Sequence, residues 1–209
     1  MTQTYVLDAN GTRLDIVTEI DWHDRHCLLR TITPVDVRTM HATFEHANGV
    51  VKRTTHDNTS WDQAQYEVPG HRFVDMSEPG FGVALLNDAK YGHSAKGNVL
   101  GLSLVRSPVY PDPLADEGGQ RFTYSLYPHA GDWYEGRVRE EAEDLNQPLL
   151  AANASGVAGI SVQLLALDGI PAALSGFKPA EDGNGLIFRV YEPAGRRGDF
   201  DIRAPKEWT

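Results

Sequence analysis

A regular alternation of apolar and polar residues is the feature that most limits how this chain can fold. In the segment 12–22, one parity is apolar or β-branched and most of the other parity is polar. A period of two is typical of a strand with one buried face, because successive side chains point to opposite sides of the backbone. The residues predicted to share the buried face are Leu14, Ile16, Thr18, Ile20 and Trp22.

Apolar runs and turn residues predict strands along most of the rest of the chain. Pro34 cannot donate to a β-ladder and belongs between strands or at a sheet edge, and Asn48-Gly49 predicts a hairpin turn. Further strands are predicted at 25–33, 36–45, 81–87, 98–106, 121–126, 161–167, 172–179, 185–192 and 199–203, with 90–97 as a connection. The pattern is typical of an all-β protein built as a large β-sandwich.

One segment, Asp132–Leu145, has a helical period instead. Its apolar residues lie along one helical stripe, and Pro148 follows where a helix would stop. We therefore predict one short surface helix. The Ala/Gly-rich stretch Ala151–Gly159 predicts a linker. It divides the chain into a main β-sandwich region at 1–150 and C-terminal strands at 151–209, which either pack on the same sandwich or form a small β subdomain.

Charge and cysteine content limit the partners and the compartment. The net charge of −10 argues against nucleic acid or an anionic membrane as a partner and suits a neutral ligand such as a sugar. Cys27 is the single cysteine, so no intrachain disulfide can form. The N-terminal residues lack the features of a signal peptide, and no apolar run reaches the length of a membrane span. These observations predict a soluble, cytoplasmic protein.

Acidic and histidine residues do not by themselves assign a catalytic or metal site. A glycosidase needs two carboxyl groups that flank the scissile bond. The chain has 29 Asp and Glu in 209 residues, so neighbours along the sequence are expected by chance. On a strand, His23 and His26 would point to different faces, which argues against a shared metal ion. No HExxH pattern of a zinc site occurs. The acids in the centre of the chain are Asp57, Asp62, Glu67, Asp75, Glu78, Asp88 and Asp112.

Aromatic side chains could bind a sugar by stacking on the apolar face of the ring, although aromatic residues in β-proteins more often fill the core. Tyr91 lies in the Gly/Lys/Asp-rich connection Asn87–Gly97, so it is the central aromatic residue that we most expect to be exposed. The others are Trp61, Tyr66, Phe73 and Tyr110.

Several distinctive short segments occur in a fixed order. They are Thr55-His56, Asn58–Asp62, Ser77–Gly82, Lys90–Gly92, Leu102–Leu104 with Arg106, Tyr110–Pro113 and Leu126–His129. Together, and most densely in the block Glu67–Tyr110, they resemble the C-terminal β-domain of glycoside hydrolase family 38 α-mannosidases of the cytosolic or bacterial type. The resemblance extends over roughly residues 13–192, which is almost the whole chain.

The resemblance implies a galactose-mutarotase-like supersandwich. It also implies that a zinc ion and an aspartate nucleophile belong to a separate N-terminal catalytic domain, so that this chain supplies neither a cofactor site nor a catalytic residue. Some family members present an arginine from the β-domain towards the catalytic cleft, and Arg106 is the best match. Asp88 and Tyr91 are further candidates for substrate contact. The alternative is that Arg106 is a strand-end residue paired with Asp88 or Asp112.

The function that the resemblance implies is that of a non-catalytic domain of an α-mannosidase. It would pack against the catalytic domain, help to shape the mannoside site, and be inactive alone. One alternative is a carbohydrate-binding module. Another is a sugar epimerase of the mutarotase type, which would need a His/Glu acid–base pair across a sheet face. An apolar face left bare by a missing partner would also permit a homo-oligomer.

Overall fold

The structure is a computed structural model that describes residues 1–150, 153 and 165–203. The strands are β1 (Thr2–Leu7), β2 (Leu14–Trp22), β3 (Leu29–Pro34), β4 (His41–His46), β5 (Gly49–Thr54), β6 (Val68–Pro69), β7 (Phe73–Glu78), β8 (Phe81–Asn87), β9 (Gly92–Lys96), β10 (Val99–Val105), β11 (Gly118–Ala130), β12 (Ala166–Gly169), β13 (Ala173–Pro179), β14 (Leu186–Tyr191) and β15 (Phe200–Arg203). The helices are α1 (Ser60–Ala64) and α2 (Val138–Asn146).

The described residues form two compact units. The first comprises Met1–His46 and Val51–Leu149, and the second comprises Ala47–Val50 and the described part of Leu150–Thr209. Within the second unit, β12 pairs with β15 and β13 pairs with β14. The predicted linker Ala151–Gly159 lies outside the described residues except for Asn153, and so does most of the predicted strand 161–167.

Two antiparallel sheets pack around one hydrophobic core. The larger has the strand order β1-β2-β11-β8-β7-β4-β5, and the smaller has the order β3-β10-β9-β6. The prediction of an all-β sandwich is therefore confirmed. The buried core side chains are Ile16, Ile20, Val35, Val37, Ala42, Phe44, Val74, Met76, Leu85, Ala95, Leu100, Leu102, Leu104, Val105, Phe122 and Tyr124.

The alternation in β2 explains how the larger sheet buries one face. Ile16, Thr18 and Ile20 are buried, as predicted. In the register with β11, Ile16 lies opposite Tyr124 and Thr18 lies opposite Phe122. Such pairs of a β-branched residue with an aromatic residue stabilise neighbouring strands, so the core also holds the register.

The other face of the larger sheet is covered by α2 and the turn before it. Trp133 stacks on Phe73 with 6.1 Å between ring centroids, and Val138 and Ala142 are buried. Of the four residues on the predicted apolar stripe, these three are buried and Leu145 is half-buried. The helix begins at Val138 and not at Asp132. The reason is that Asp132 accepts backbone hydrogen bonds in a turn, and Arg137 has a left-handed φ of 54° that interrupts the helix.

Several strand boundaries differ from the predictions. The connection predicted at 90–97 contains β9, which is short and rich in small residues of low strand propensity. The strand predicted at 36–45 begins only at His41, because 35–40 crosses from the smaller sheet to the larger one. Pro34 ends the edge strand β3, and Asn48 has a φ of 61° in the turn before β5, as their residue types predicted. Strands β1, β6 and β7 and helix α1 were not predicted.

Helix α1 results from local capping. The Thr59 side chain accepts a hydrogen bond from the backbone N–H of Asp62, and the Asp62 carboxylate accepts one from the backbone N–H of Thr59. Hydroxyl groups of Thr59 and Thr54 donate to the same carboxylate and lower the pKa of Asp62. This reciprocal pattern is a capping box. In the described ranges, no helix is long and apolar enough to cross a membrane.

His93 is a polar residue in the sandwich interior. It is completely buried, its Nε2 lies 3.2 Å from the carbonyl oxygen of His71, and its Nδ1 has no hydrogen-bond partner among the described residues. Burial is the main reason why its pKa is lowered from 6.5 to about 4. The neutral imidazole with the proton on Nε2 fits these surroundings, since it donates to the His71 carbonyl oxygen.

We expect the pKa of His93 to make stability depend on pH. The unfolded chain binds this proton with a pKa near 6.5, so the contribution is complete above pH 6.5 and is lost as pH falls towards about 4. Between these two pH values the free energy of unfolding should fall by roughly 3 kcal/mol, at about 1.4 kcal/mol per pH unit. His93→Gln retains an amide donor but cannot titrate. Urea unfolding at a series of pH values should show a flatter pH dependence for the variant, and parallel curves would contradict the assignment.

Candidate functional site

Arg106 and Tyr91 line the same surface cleft. The cleft has a volume of about 210 Å³ and lies where β10 ends and β9 begins. We call it the Arg106 cleft. Its lining residues are Leu28, Glu67, Ala89, Lys90, Tyr91, Gly92, Ser103, Leu104, Val105, Arg106 and Asp116. Two of the three side chains that the sequence singled out are thus brought together.

Arg106 is held through its backbone, while its side chain is exposed. The carboxylate of Asp116 accepts the backbone N–H of Arg106 at 3.2 Å and that of Ser107 at 3.0 Å. The indole N–H of Trp22 donates to the hydroxyl of Ser107, and the backbone N–H of His26 donates to the Ser107 carbonyl oxygen at 2.9 Å. These contacts fix the point at which the chain leaves β10.

Among the residues that the structure describes, the Arg106 guanidinium forms no ion pair, so the alternative pairings with Asp88 or Asp112 are not formed. The Asp112 carboxylate instead accepts the backbone N–H of Leu114 at 2.9 Å. A guanidinium carries five N–H donors in a fixed plane. Those of Arg106 therefore remain available to a ligand in the cleft.

Tyr91 is 62% exposed and forms one side of the Arg106 cleft. Its ring meets the edge of His71 at a centroid distance of 5.8 Å, and His71 stacks on His46 at 5.3 Å. Tyr91 is exposed, as expected, but it is not distinctive in this respect. Three others are more exposed and Phe73 is completely buried; the exposed three are Trp61, Tyr66 and Tyr110.

Asp88 lies beside the cleft and is not among its lining residues. Its carboxylate accepts the backbone N–H of Thr123 at 2.8 Å, and its own N–H donates to the Thr123 carbonyl oxygen at 3.1 Å. This pair of bonds joins the end of β8 to β11. Asp88 has a structural partner in this position, and its candidacy for substrate contact stays a prediction.

Lys90 is a cleft residue that the sequence did not single out. Its ammonium lies 4.4 Å from the centre of the Phe122 ring. Burial lowers the pKa of Lys90, and the neighbouring carboxylates of Asp116 and Asp88 partly oppose that effect. The only sequence signal was its position next to Tyr91 in the segment Lys90–Gly92.

Glu67 and Ser103 form the polar floor of the cleft. The Ser103 hydroxyl donates to a carboxylate oxygen of Glu67 at 2.9 Å. Gly92 makes this arrangement possible, because a β-carbon there would overlap the Glu67 carboxylate and approach the Ser103 β-carbon to 3.1 Å. Glu67 was one of many acids in the sequence, and only the pairing of β6, β9 and β10 identifies it as a cleft residue.

Most of the other central acids have structural partners. The Asp57 carboxylate pairs with Lys96, the Asp62 carboxylate caps α1, and the Glu78 carboxylate accepts the backbone N–H of Arg38. Asp75 lies 2.8 Å from Nε2 of His129, with both side chains only 1% exposed. This buried pair is closed to a ligand and is not the accessible acid–base pair that an epimerase would need.

Metal ligation finds no support in the described ranges. No group of three or more His, Cys, Asp or Glu side chains there is placed to hold a metal ion. His23 instead pairs with Asp21 at 3.0 Å, and this hydrogen bond raises the pKa of His23. The residues that the structure describes do not fit a zinc ion, which the resemblance assigns to a separate domain.

Comparison with known proteins identifies the family. Residues 1–114 match the model described as "Glycosyl hydrolases family 38 C-terminal domain". The chain belongs to this family. The match contains Glu67, Tyr91 and Arg106, whereas Asp116 lies just beyond it.

Curated relatives of this family member are long α-mannosidases. The chain is 43% identical to mouse alpha-mannosidase 2C1 over 203 residues, which cover 95% of the chain and 20% of that protein. It is 38% identical to alpha-mannosidase G of Dictyostelium discoideum over 206 residues, which cover 97% of the chain and 19% of that protein. The chain thus spans about a fifth of the length of these relatives.

Solved structures support the same fold. An alpha-mannosidase from Enterococcus faecalis V583 superimposes with a TM-score of 0.83 at 17% identity, covering 96% of this chain and 24% of that one. A second family 38 protein from Enterococcus faecalis gives a TM-score of 0.80, also at 17% identity, with coverage of 96% and 25%. At this identity the likeness shows the fold.

The role of Asp116 predicts how the site responds to mutation. Asp116→Ala removes the acceptor of two backbone N–H groups, so we expect a loss of about 1–2 kcal/mol in the free energy of unfolding. Without Asp116 the backbone at Arg106 and Ser107 is held less firmly, so trypsin should cleave the peptide bond after Arg106 faster. Asp112→Ala, which removes a hydrogen bond inside the same loop, is the matched control and should leave cleavage after Arg106 near the wild-type rate. Equal rates for both variants would show that Asp116 does not position Arg106.

Proposed function

We propose that this chain is the non-catalytic β-domain of an α-mannosidase, and that the Arg106 cleft contacts a mannoside held by a separate catalytic domain. Family membership and the names of the curated relatives support the enzyme class. The observation that carries the proposal is the position of Arg106 and Tyr91 on one cleft. The Arg106 guanidinium has no ion pair within the described part of the chain, and the backbone of Arg106 is fixed by Asp116.

The chemistry of the cleft suits a neutral sugar. The exposed ring of Tyr91 offers a face for the apolar side of a pyranose, and the Arg106 guanidinium offers several donors to neighbouring hydroxyl groups. Glu67 supplies acceptors on the floor. Two cationic and two anionic side chains line the cleft, so their formal charges balance; these are Lys90, Arg106, Glu67 and Asp116.

The carboxylates of the cleft support a binding role more than a catalytic one. Retention of configuration requires a nucleophilic carboxylate and an acid about 5 Å apart on either side of the scissile bond. Here Asp116 is occupied by two backbone N–H groups and Glu67 by a serine hydroxyl. We therefore assign bond cleavage, and the zinc ion of the family, to a catalytic domain that packs against this chain.

Direct contact with the sugar predicts weak binding by the chain alone. Methyl α-mannoside should bind with a dissociation constant of roughly 10⁻³ M, because one cleft wall buries little of the ligand. The binding should shift the NMR signals of Tyr91 and Arg106 and change the fluorescence of Trp22, which is hydrogen-bonded to Ser107. Arg106→Ala and Tyr91→Ala should each weaken binding about tenfold, the loss of about one charge-assisted hydrogen bond or one stacking contact.

Tyr110→Ala is the matched control for this experiment. Tyr110 is 85% exposed and does not line the Arg106 cleft, so its loss should leave sugar binding unchanged. A flat response of the wild-type chain up to high sugar concentration would argue against sugar contact. Equal weakening by the Tyr110 variant would argue against the assignment of the cleft.

The absence of a catalytic role predicts that the chain alone does not hydrolyse glycosides. With an aryl α-mannoside, the release of the aryl group should stay at the uncatalysed rate with or without added zinc. Glu67→Gln is the diagnostic variant, because Glu67 is the cleft carboxylate with the fewest protein partners. Turnover by the wild type that this variant abolishes would refute the proposal.

A carbohydrate-binding module is the second candidate, and the open cleft with an exposed tyrosine is the observation that favours it. The two candidates differ in the ligand. A module that binds glycans by itself should prefer mannobiose to the monosaccharide by a wide margin. A domain that contributes one wall to a composite site should bind both weakly.

We also propose that the protein acts in the cytoplasm. Cys27 is the single cysteine, and its thiol is exposed and free. A reducing compartment suits such a residue. Immunoblotting of fractionated source cells tests the location, and recovery of the protein outside the cytoplasm would contradict it.

A further inference from the structure

A row of aromatic rings leads away from the Arg106 cleft. The imidazole of His71 meets the ring of Tyr91 nearly at a right angle, with 5.8 Å between the ring centroids, and it stacks on the imidazole of His46 at 5.3 Å. Tyr91 lines the cleft, whereas neither histidine is among its lining residues. A ligand in the cleft would therefore contact the tyrosine ring and not the two imidazoles.

The position of His71 is fixed by its backbone. Its N–H donates to the carbonyl oxygen of Glu45 at 2.9 Å. Its carbonyl oxygen accepts the side-chain amide of Asn87 at 2.9 Å and lies 3.2 Å from Nε2 of His93. The side chains of Asn87 and His93 are both buried, so these bonds are shielded from water. His71 is thus anchored to the interior of the sandwich.

The segment that carries Tyr91 is anchored at the same point. The backbone N–H of Gly70 donates to the carbonyl oxygen of Tyr91 at 3.0 Å. The backbone N–H of Lys90 donates to the side-chain oxygen of Asn87 at 2.6 Å. Asn87 therefore holds both segments through one amide group, because the nitrogen of that group donates to His71. The two backbones are fixed relative to each other, and the main freedom left to Tyr91 is the rotation of its side chain.

His71 limits that rotation. Among the described residues it is the one whose ring contacts Tyr91, and its own imidazole is confined by the stack with His46. An exposed side chain without such a neighbour populates several rotamers, and a ligand must then select one of them at a cost in binding free energy. Contact with His71 removes part of that cost before a ligand arrives.

We propose that His71 is a positioning residue of the Arg106 cleft and holds the ring of Tyr91 in the orientation that a sugar contacts. This role rests on the proposed function, because it requires Tyr91 to bind a mannoside. Edge-to-face aromatic pairs contribute an energy equivalent to roughly a two- to tenfold change in an equilibrium constant. The contribution of His71 to sugar affinity should lie in that range, although its side chain does not touch the sugar.

The orientation of Tyr91 is tested first, without sugar. In the wild-type chain, NMR should show nuclear Overhauser effects between the ring protons of Tyr91 and the imidazole protons of His71. His71→Ala keeps the backbone hydrogen bonds of this residue, so circular dichroism should show a folded protein. The ring signals of Tyr91 should nevertheless move towards their random-coil positions. His71→Phe retains a ring and should keep the signals displaced. Unchanged Tyr91 signals in His71→Ala would overturn the positioning role.

Sugar binding then tests whether the orientation matters. In a titration with methyl α-mannoside, His71→Ala should weaken binding roughly two- to tenfold, and His71→Phe should restore most of the lost affinity. In the Tyr91→Ala background, His71→Ala should cause no further loss, because its effect passes through the tyrosine ring. An equal loss in both backgrounds would show that His71 acts on the fold and would overturn the proposal.

His41→Ala is the matched control. His41 is exposed at the start of β4, whereas His46 ends that strand, and His41 does not line the cleft. Its removal should leave both the Tyr91 signals and sugar binding unchanged, and an effect equal to that of His71→Ala would contradict the assignment. Wild-type affinity in His71→Ala would overturn the role of His71 and leave the proposed function standing. A wild-type chain that binds no sugar would overturn the proposed function and this role together.

Discussion

The shared core between the two sheets is the constraint on which the rest of the structure depends. Each sheet buries one parity of its residues there, with Leu85 from the larger sheet and Leu102 from the smaller one among the completely buried side chains. The residues of the opposite parity therefore lie on the outer faces of the two sheets. On the larger sheet that face is covered by α2, and on the smaller sheet it carries Gly92 and Ser103, which form part of the Arg106 cleft. The position of the cleft is thus a consequence of burial elsewhere.

Much of the fold follows from the sequence because burial on one face leaves a period of two. The buried parity of β2 was predictable for this reason, whereas the strand at Phe81–Asn87 was predicted as a continuous apolar run and is buried on both faces. Strand β9 was not, since Gly92 and Ser94 give little strand signal without their neighbours. The start of α2 depends on a turn centred on Asp132 and on a left-handed Arg137, which no helical stripe reveals.

The candidate site was only partly predictable for a different reason. Arg106 and Tyr91 came from the family resemblance, but their shared cleft depends on the pairing of β9 with β10. No periodic pattern marks Asp116 in the sequence. Its role depends on the fold, which brings Asp116 back to the end of β10. Two acids of the block Glu67–Tyr110, Asp75 and Glu78, are hydrogen-bonded within the fold. These two acids of the block therefore serve folding.

The closure of the loop by Asp116 has a consequence for sequence change. The residues between Ser107 and Asp116 leave and return at one point, so their length and identity can vary without moving Arg106. Doubling the length of a flexible loop costs only about 0.6 kcal/mol in closure entropy. An insertion at Pro111 or Asp112 could therefore build a longer rim around the cleft while the arginine stays in place. This loop is a segment in which related proteins can acquire different specificity without a change in the scaffold.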